Sequence, residues 1–232
     1  MMKRITLLLI MLLCVGAKMS AQEATAYAVW CSSNTTLYFT NRSESISTGS
    51  TFTPEGSSES LTVTNVWSGT NVTSSANTPS WNSTVRSTVT TVVFEPSFSS
   101  VTPTSMRAWF YNFSKLSSIN GLSNLNTSQV TTMYQTFYRC PLLTSVDLST
   151  FDTSKVTTMY DMFEGCSGLT SLNLSGWNTS SLTNMQYMFY NCSGLTSVNL
   201  TGLNTSAVTT MAQMFYGCSK LQNVDLSGFD TS

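Results

Sequence analysis

Apolar and polar positions recur in one fixed order along the 232-residue chain from residue 89 onward. Two independent columns share a spacing of 26 residues, the methionines Met133, Met159, Met185 and Met211 and the cysteines Cys140, Cys166, Cys192 and Cys218. A period of roughly 20 to 50 residues indicates units that cannot bury an apolar face alone and that stack on their neighbours. The pattern therefore directs the search for function to a surface rather than to a catalytic cleft.

The first part of each unit predicts a short strand. Residues 143–151 follow L-x-x-L-x-L-x-x-F, whose alternating centre is typical of a strand. Val146 and Leu148 are expected to face the core, and Ser145 and Asp147 to face outward. The sequence Asp152-Thr-Ser that follows predicts a turn, because short oxygen-bearing side chains bond nearby backbone N–H groups.

The second part of each unit predicts a short helix. Apolar residues fall at i, i+3, i+4 and i+7, as in Met159, Met162, Phe163 and Cys166, which is the spacing of one helix face. Thr158 is expected to cap this helix and Gly165 to end it. The sequence thus predicts an α/β repeat fold, a leucine-rich-repeat solenoid with a parallel strand and a short helix in each 26-residue coil.

The leading apolar residues set the unit boundaries at Val89, Leu116, Leu143, Leu169, Leu195 and Leu221. The array is predicted to span residues 89–232, with the first two units degenerate and the last one incomplete. Residues 22–88 are predicted to form a small amino-terminal β cap that begins with a hairpin, since apolar residues alternate before and after a Ser-Ser-Asn-Thr turn.

Residues 1–21 are predicted to be a secretory signal peptide. Lys3 and Arg4 precede an apolar run that is too short for a membrane span, and small residues lead to Ala21. A lipid anchor at Cys14 is the alternative, which the bulky Leu13 before it disfavours. No transmembrane segment is expected after signal cleavage, and the protein is expected to be secreted or displayed on a bacterial cell surface.

The other end of the sequence stops at Phe229-Asp-Thr-Ser232, where the predicted helix of that unit would begin. Either the sequence is a fragment, or the native protein continues into further repeats and an anchoring segment. Because the apolar face over Met211 and Phe215 would lie open there, self-association is expected at this end.

Removal of Lys3, Arg4 and Lys18 leaves seven basic residues against eleven acidic ones, a net charge of −4. No basic patch is present to bind phosphates, so nucleic acid is not an expected partner.

Five cysteines remain after signal cleavage, and single cysteines one unit apart are interpreted as free buried thiols, although stacked units would bring them close enough for disulfides.

No histidine occurs in the chain, so the commonest general base and metal ligand is absent. Neither a catalytic site nor a cofactor is predicted, and the protein is not expected to be an enzyme.

Asp and Asn alternate between units at two columns, of which one includes Asp152, Asn178, Asn204 and Asp230. Calcium ligation is one interpretation of these columns, and hydrogen bonding within turns is favoured over it.

Two sets of residues are candidates for ligand contact. The outward strand positions form a polar concave face of Ser145, Asp147, Ser171, Asn173, Ser197, Asn199, Asn223 and Asp225. This face is either a binding surface or a solvated strand face. A second set of edge aromatics, Tyr138, Tyr190 and Tyr216, follows the inward phenylalanines, and these rings are either contact residues or covers over the core margin.

The unit Leu143-Thr-Ser-Val-Asp-Leu-Ser-Thr-Phe-Asp-Thr-Ser-Lys-Val-Thr-Thr-Met-Tyr-Asp-Met-Phe-Glu-Gly-Cys166 resembles those of BspA-like leucine-rich-repeat surface proteins. The segments Ala26-Tyr-Ala-Val, Val92-Val-Phe-Glu-Pro-Ser-Phe98 and Pro103-Thr-Ser are similar to the cap and first coil of bacterial members. The resemblance implies a surface protein from a family that includes adhesins for host matrix proteins, plasma proteins and partner bacteria. It implies no catalytic residues.

Together these features predict an adhesin-like protein that binds extracellular proteins or other cells through its repeat surface. The alternative is a structural spacer or display stalk without a ligand of its own.

Overall fold

The computed structural model describes residues 24–31, 33–74 and 78–230. The predicted signal peptide, residues 1–21, lies outside the described residues. The strands are β1 Thr25–Cys31, β2 Thr36–Arg42, β3 Thr51–Phe52, β4 Leu61–Thr62, β5 Asn65–Ser68, β6 Thr91–Phe94, β7 Ser118–Asn120, β8 Ser171–Asn173 and β9 Ser197–Asn199. Two short helices, α1 (Thr70–Thr73) and α2 (Ser80–Val85), lie between β5 and β6, and 3₁₀ turns cover Pro96–Ser100 and Leu122–Asn124.

One mixed sheet joins the amino-terminal strands to the first repeat units, in the order β5-β1-β2-β6-β7. The predicted hairpin is confirmed, because β1 pairs with β2 in antiparallel register from Thr25 opposite Arg42 to Cys31 opposite Thr36. Strand β6 then pairs in parallel with β2 on one side and with β7 on the other. The remaining described strands form two small sheets, antiparallel β3-β4 and parallel β8-β9.

Aromatic side chains fill the core where the amino-terminal strands meet the repeats. The ring of Phe39 on β2 stacks on Phe94 of β6 at 4.7 Å and on Trp109 at 5.3 Å. The indole N–H of Trp81 on α2 donates to the backbone carbonyl of Trp109 at 3.0 Å, so the helix is held against the same cluster. Buried aromatic rings and one satisfied indole therefore fix the orientation of the first units.

A column of stacked phenylalanines continues this core through the repeats. Consecutive ring centroids lie 5.5, 5.3, 5.7 and 5.4 Å apart along Phe110, Phe137, Phe163, Phe189 and Phe215. One ring per unit at van der Waals spacing makes the core continuous from unit to unit.

The expected α/β leucine-rich-repeat solenoid is wrong. Residues 86–230, all of which the structure describes, contain no α-helix, and the strands form only small mixed sheets. A strand was also predicted in every unit, yet none forms over residues 145–147 or 223–225.

Consecutive turns replace the predicted helix because two residues of this segment have a positive φ in each of four consecutive units. These pairs are Gln135 and Arg139, Asp161 and Gly165, Tyr187 and Asn191, and Gln213 and Gly217. A right-handed helix cannot contain residues in the left-handed region. Thr158 is not a helix cap, because it forms a parallel bridge to Thr132 and another to Asn184.

Backbone hydrogen bonds in these segments run between units instead of along a helix. In one unit the N–H groups of Met159, Asp161 and Phe163 donate to the carbonyl groups of Asn184, Gln186 and Met188 at distances of 2.9, 3.1 and 2.9 Å. The apolar face predicted for the segment is nevertheless confirmed, since Met162, Phe163 and Cys166 are fully buried. The spacing of the side chains was interpreted correctly, and the backbone conformation was not.

Candidate functional site

A shallow polar groove crosses the outer surface of three consecutive units. Ser145, Ser171 and Ser197 form one lip, and Asp147, Asn173 and Asn199 form the other, all with exposed side chains. Val146, Leu172 and Val198 lie between the two lips, and all three pack in or against the hydrophobic core beneath the groove. The cavity volume of this groove is about 580 Å³.

The two rows arise from strand alternation and parallel register. In the β8-β9 pair, Ser171 lies opposite Ser197 and Asn173 lies opposite Asn199, with Leu172 and Val198 between them. Successive side chains of a strand point to opposite faces, and the paired residues of neighbouring strands lie about 4.8 Å apart, so equivalent residues of the two units form two rows. The groove is therefore a direct product of the repeat.

Six of the eight residues predicted for the concave face line this groove. The other two, Asn223 and Asp225, do not. Asp225 instead lines a separate hollow with Leu203 and Phe229. The sequence pattern assigned the eight residues to one face, and the fold brings six of them into one cavity.

Each Asp or Asn of the groove closes a turn with the backbone two residues later. The Oδ1 atom of Asp147 accepts from Ser149 N at 3.0 Å, and Oδ1 of Asn173 accepts from Ser175 N at 3.1 Å. Asn199 does the same with the backbone N–H of Thr201 at 3.0 Å. These Asx turns fix the side-chain orientation of the whole row.

The second Asp/Asn column is also used in turns. Its Oδ1 atoms accept from backbone N–H groups two residues later, at Asn126, Asp152, Asn178 and Asn204. The threonine after each of these residues is buried, and the hydroxyl of Thr153, for example, donates to the carbonyl of Asn178 in the next unit at 2.9 Å. The interpretation of these columns as turn-forming is confirmed. Over the described residues, no group of three or more Cys, Asp or Glu side chains is placed to hold a metal ion.

Asp147 is the one ionisable side chain among the residues that line the groove. Hydrogen bonds from the backbone and hydroxyl of Ser149 lower the pKa of its carboxyl, so the group stays charged at neutral pH. A second, smaller hollow lined by Ile119, Leu122 and Thr150 meets the groove at Asp147. The groove is thus neutral along most of its length and anionic at one end.

The predicted edge tyrosines do not sit on a helix. Tyr138 is half-buried and stacks on Tyr111 at 4.7 Å, while Tyr190 stacks on Tyr216 at 5.0 Å. Tyr216 is the most exposed of them, with 61% of its surface accessible. None of the three lines the groove.

Sequence reasoning missed a second tyrosine row. Tyr134 stacks on Tyr160 at 5.1 Å, Tyr160 meets the edge of Tyr187, and the guanidinium of Arg107 lies 3.8 Å from the centre of the Tyr134 ring. The signal that could have found it is the 26-residue spacing of Tyr134 and Tyr160, each of which directly follows the inward methionine of its unit.

A buried carboxyl, that of Asp161, directly follows Tyr160 in the sequence. Asp161 is only 5% exposed, and burial raises its pKa to about 7, with the neighbouring Glu164 carboxyl adding to the rise and a hydrogen bond from Gln135 opposing it. Glu164 itself pairs with Arg139 at 3.7 Å. This cluster lies apart from the groove and was not predicted from the sequence.

The cysteine column is buried and free of disulfides, which confirms the interpretation as free thiols. Each Sγ donates to the carbonyl of a phenylalanine in the preceding unit at 2.9–3.1 Å, with Cys140, Cys166, Cys192 and Cys218 bonded to Phe110, Phe137, Phe163 and Phe189. The thiols therefore act as small core residues that also satisfy one carbonyl each.

An apolar hollow lies beside the last described unit, as the sequence pattern predicted. It is lined by Met211, Met214, Phe215, Leu226 and Phe229, and Leu226 is 42% exposed.

The chain is similar to one family of known sequences over more than half of its length. The family is described as Mycoplasma protein of unknown function, DUF285, and its model matches residues 104–229. The chain belongs to this family. All residues that line the groove fall within the DUF285 region, whereas strands β1 to β6 precede it. Comparison with curated proteins gave no match, and neither did comparison with solved structures.

In the part of the DUF285 chain that the structure describes, no helix has both the length and the apolarity needed to cross a membrane.

Proposed function

We propose that this protein is a secreted or cell-surface binding protein of the adhesin type. Its ligands would be host matrix or plasma proteins, or the surfaces of other cells, and it would engage them through the repeat surface. The observation that carries the proposal is the groove, in which three units align two exposed polar rows on either side of Val146, Leu172 and Val198.

The chemistry of the groove suits recognition of an extended ligand. Hydroxyl, amide and carboxylate groups on the two lips can exchange hydrogen bonds with a partner. Each unit adds a similar small surface, so affinity would rise with the number of units or molecules engaged at once. The signal peptide predicted for residues 1–21 and the resemblance of the repeat residues to BspA-like surface proteins support an extracellular location.

A binding screen with a groove variant tests the proposal. Residues 22–232 would be tested by solid-phase assay against matrix proteins, plasma proteins and whole bacteria. Ser171→Trp places a large ring in the groove, and Ser180→Trp is the matched control on an exposed turn outside it. The proposal expects at least one ligand whose binding is lost in Ser171→Trp and kept in Ser180→Trp. If the folded protein binds nothing in the screen, or if both variants bind as the parent does, the proposal is wrong.

The alternative function is a spacer that holds another part of a surface protein away from the cell. The observation that favours it is the continuous bonding between units, in which the hydroxyls of Thr157, Thr183 and Thr209 donate to carbonyls one unit earlier at 2.9–3.1 Å. A spacer would tolerate Ser171→Trp without any loss of cell adhesion by the complete surface protein.

A further inference from the structure

The Asx turns of the groove determine which hydrogen-bonding groups face the ligand. In Asn173 and Asn199 the carbonyl oxygen Oδ1 is occupied by a backbone N–H group. Because an amide carries its oxygen and its NH₂ on opposite arms, the Nδ2 donors must point away from the turn. Neither Nδ2 has a hydrogen-bond partner in the part of the chain that the structure describes, so both are free to donate to a ligand.

The row therefore presents chemically different groups in a fixed order. Asp147 presents a carboxylate that only accepts, and Asn173 and Asn199, which lie opposite each other in the β8-β9 pair, present amide donors. Ser145, Ser171 and Ser197 on the facing lip have hydroxyls that either donate or accept. No basic side chain lines the groove, so an acidic ligand would find no counter-charge.

The surroundings of Asp147 suit a long cationic side chain. The hollow that meets the groove there has apolar walls from Ile119 and Leu122 and a hydroxyl from Thr150. Lysine and arginine bury their methylene stems along apolar surfaces while their charged groups stay near an anion. An apolar hollow beside a single carboxylate is the complement of such a side chain.

We propose that the groove binds an extended polypeptide segment that places a lysine or arginine side chain against Asp147 and backbone carbonyl groups against the amides of Asn173 and Asn199. This inference rests on the proposed binding function and names the ligand chemistry of the same groove. Alternate side chains of an extended peptide would face the groove, because successive side chains of an extended chain point to opposite sides.

Substitution of Asp by Asn in these columns changes the charge and keeps the turn, because the chain itself uses both residues in the same kind of Asx turn. Asp147→Asn removes the groove charge and keeps the turn that Asn173 makes. Asp152→Asn is the control, since Asp152 lies in the same unit, closes the same kind of turn and lies outside the groove. Neither change is expected to alter the fold.

The test uses residues 22–232 labelled for nuclear magnetic resonance and two end-blocked heptapeptides rich in threonine and valine. The peptides differ only in a central lysine or glutamate, and a neutral linear oligosaccharide is a third probe. The lysine peptide is expected to shift the backbone signals of residues 145–147 and the side-chain amide signals of Asn173 and Asn199. Asp147→Asn should weaken its binding about fivefold at low salt, the upper range for an exposed ion pair, and Asp152→Asn should not.

Three results would overturn the inference. They are equal binding of the lysine and glutamate peptides, binding of the oligosaccharide in place of the lysine peptide, and an unchanged affinity in Asp147→Asn. If a ligand from the solid-phase screen still depends on Ser171 in any of these cases, the proposed function stands and only the assignment of a cationic peptide fails. If the peptide test fails and no ligand from the solid-phase screen depends on Ser171, the groove is not a binding site.

Discussion

The side-chain amide of Gln135 donates a hydrogen bond to Oδ2 of Asp161 at 3.0 Å across two neighbouring units. The other oxygen of this buried carboxyl, Oδ1, has no hydrogen-bond partner among the described residues, and Glu164 is its acidic neighbour. A protonated Asp161 could donate to Glu164, whereas two charged carboxylates would repel each other. The environment of Asp161 therefore favours its neutral form.

Stability is expected to depend on pH through this residue. The pKa of Asp161 in the folded protein is about 7, above the value of about 3.9 for an unfolded aspartate. The stability that the neutral carboxyl contributes is therefore fully present below about pH 4 and is lost as the pH rises to about 7. Asp161→Asn mimics the neutral form and is expected to stabilise the protein by about 1–3 kcal/mol at pH 8, with little effect at pH 4. Urea unfolding at both pH values measures the difference.

Asp152→Asn is the control for this pH dependence. Hydrogen bonds from Ser154 lower the pKa of Asp152, so its contribution to stability is present at neutral pH and is lost as the pH falls. The control should therefore lower stability slightly at pH 8, opposite in sign to Asp161→Asn. If the change in unfolding free energy caused by Asp161→Asn depends on pH in the same way as that caused by Asp152→Asn, Asp161 is charged in the folded protein.

The cysteine thiols are expected to resist modification in the native protein. Cys140, Cys166 and Cys192 are fully buried, and burial raises the pKa of the Cys140 and Cys192 thiols, so little reactive thiolate is accessible. Cys218 is 9% exposed and should react first. Thiol titration before and after denaturation, with mass spectrometry of the modified sites, checks the order. Rapid labelling of Cys166 in the folded protein would contradict the stacked core.

Glu95 is expected to anchor the segment between β2 and β4 to the main sheet. Its buried carboxylate pairs with Arg42 at 2.9 Å and accepts the backbone N–H of Glu55 at 2.7 Å. Glu95→Gln removes the charge that both donors face and should cost about 1–3 kcal/mol of unfolding free energy. Glu44→Gln is the matched control, since Glu44 is 75% exposed and lies 4.0 Å from the same arginine. If Glu44→Gln lowers the unfolding free energy by a comparable amount, the loss comes from the change in net charge and not from the buried contacts of Glu95.

Gly194 is expected to be required for close stacking of units. A Cβ atom at this position would collide with the backbone carbonyl oxygen of Ser167 in the preceding unit, and backbone cannot rotate away as a side chain can. Gly194→Ala should therefore cost about 1–3 kcal/mol, as overpacking does, which lowers the melting temperature by several degrees. Gly228→Ala is the control, because a Cβ there meets open space. Equal melting temperatures for the two variants would show that the units are not in contact at Gly194.

The sequence by itself determined which side chains turn inward and which turn outward. Met159, Phe163 and Cys166 are buried as their spacing predicted, and Ser171 and Asn173 are exposed on either side of Leu172. These assignments succeed because burial of apolar side chains is the dominant favourable term in folding, so that apolar residues recur at a regular spacing in the sequence. The hairpin of β1 and β2 was predictable for the same reason.

Only the tertiary structure decided the backbone between those side chains. The spacing i, i+3, i+4 and i+7 is compatible with a helix and also with consecutive turns, and the difference depends on where the N–H groups find acceptors. For Asp161 and Phe163 the acceptors are the carbonyl groups of Gln186 and Met188 in the next unit, which local sequence cannot reveal. The groove was decided in the same way, because strand register aligns Asn173 with Asn199, and because the Asx turns that orient their amides form only in the folded chain.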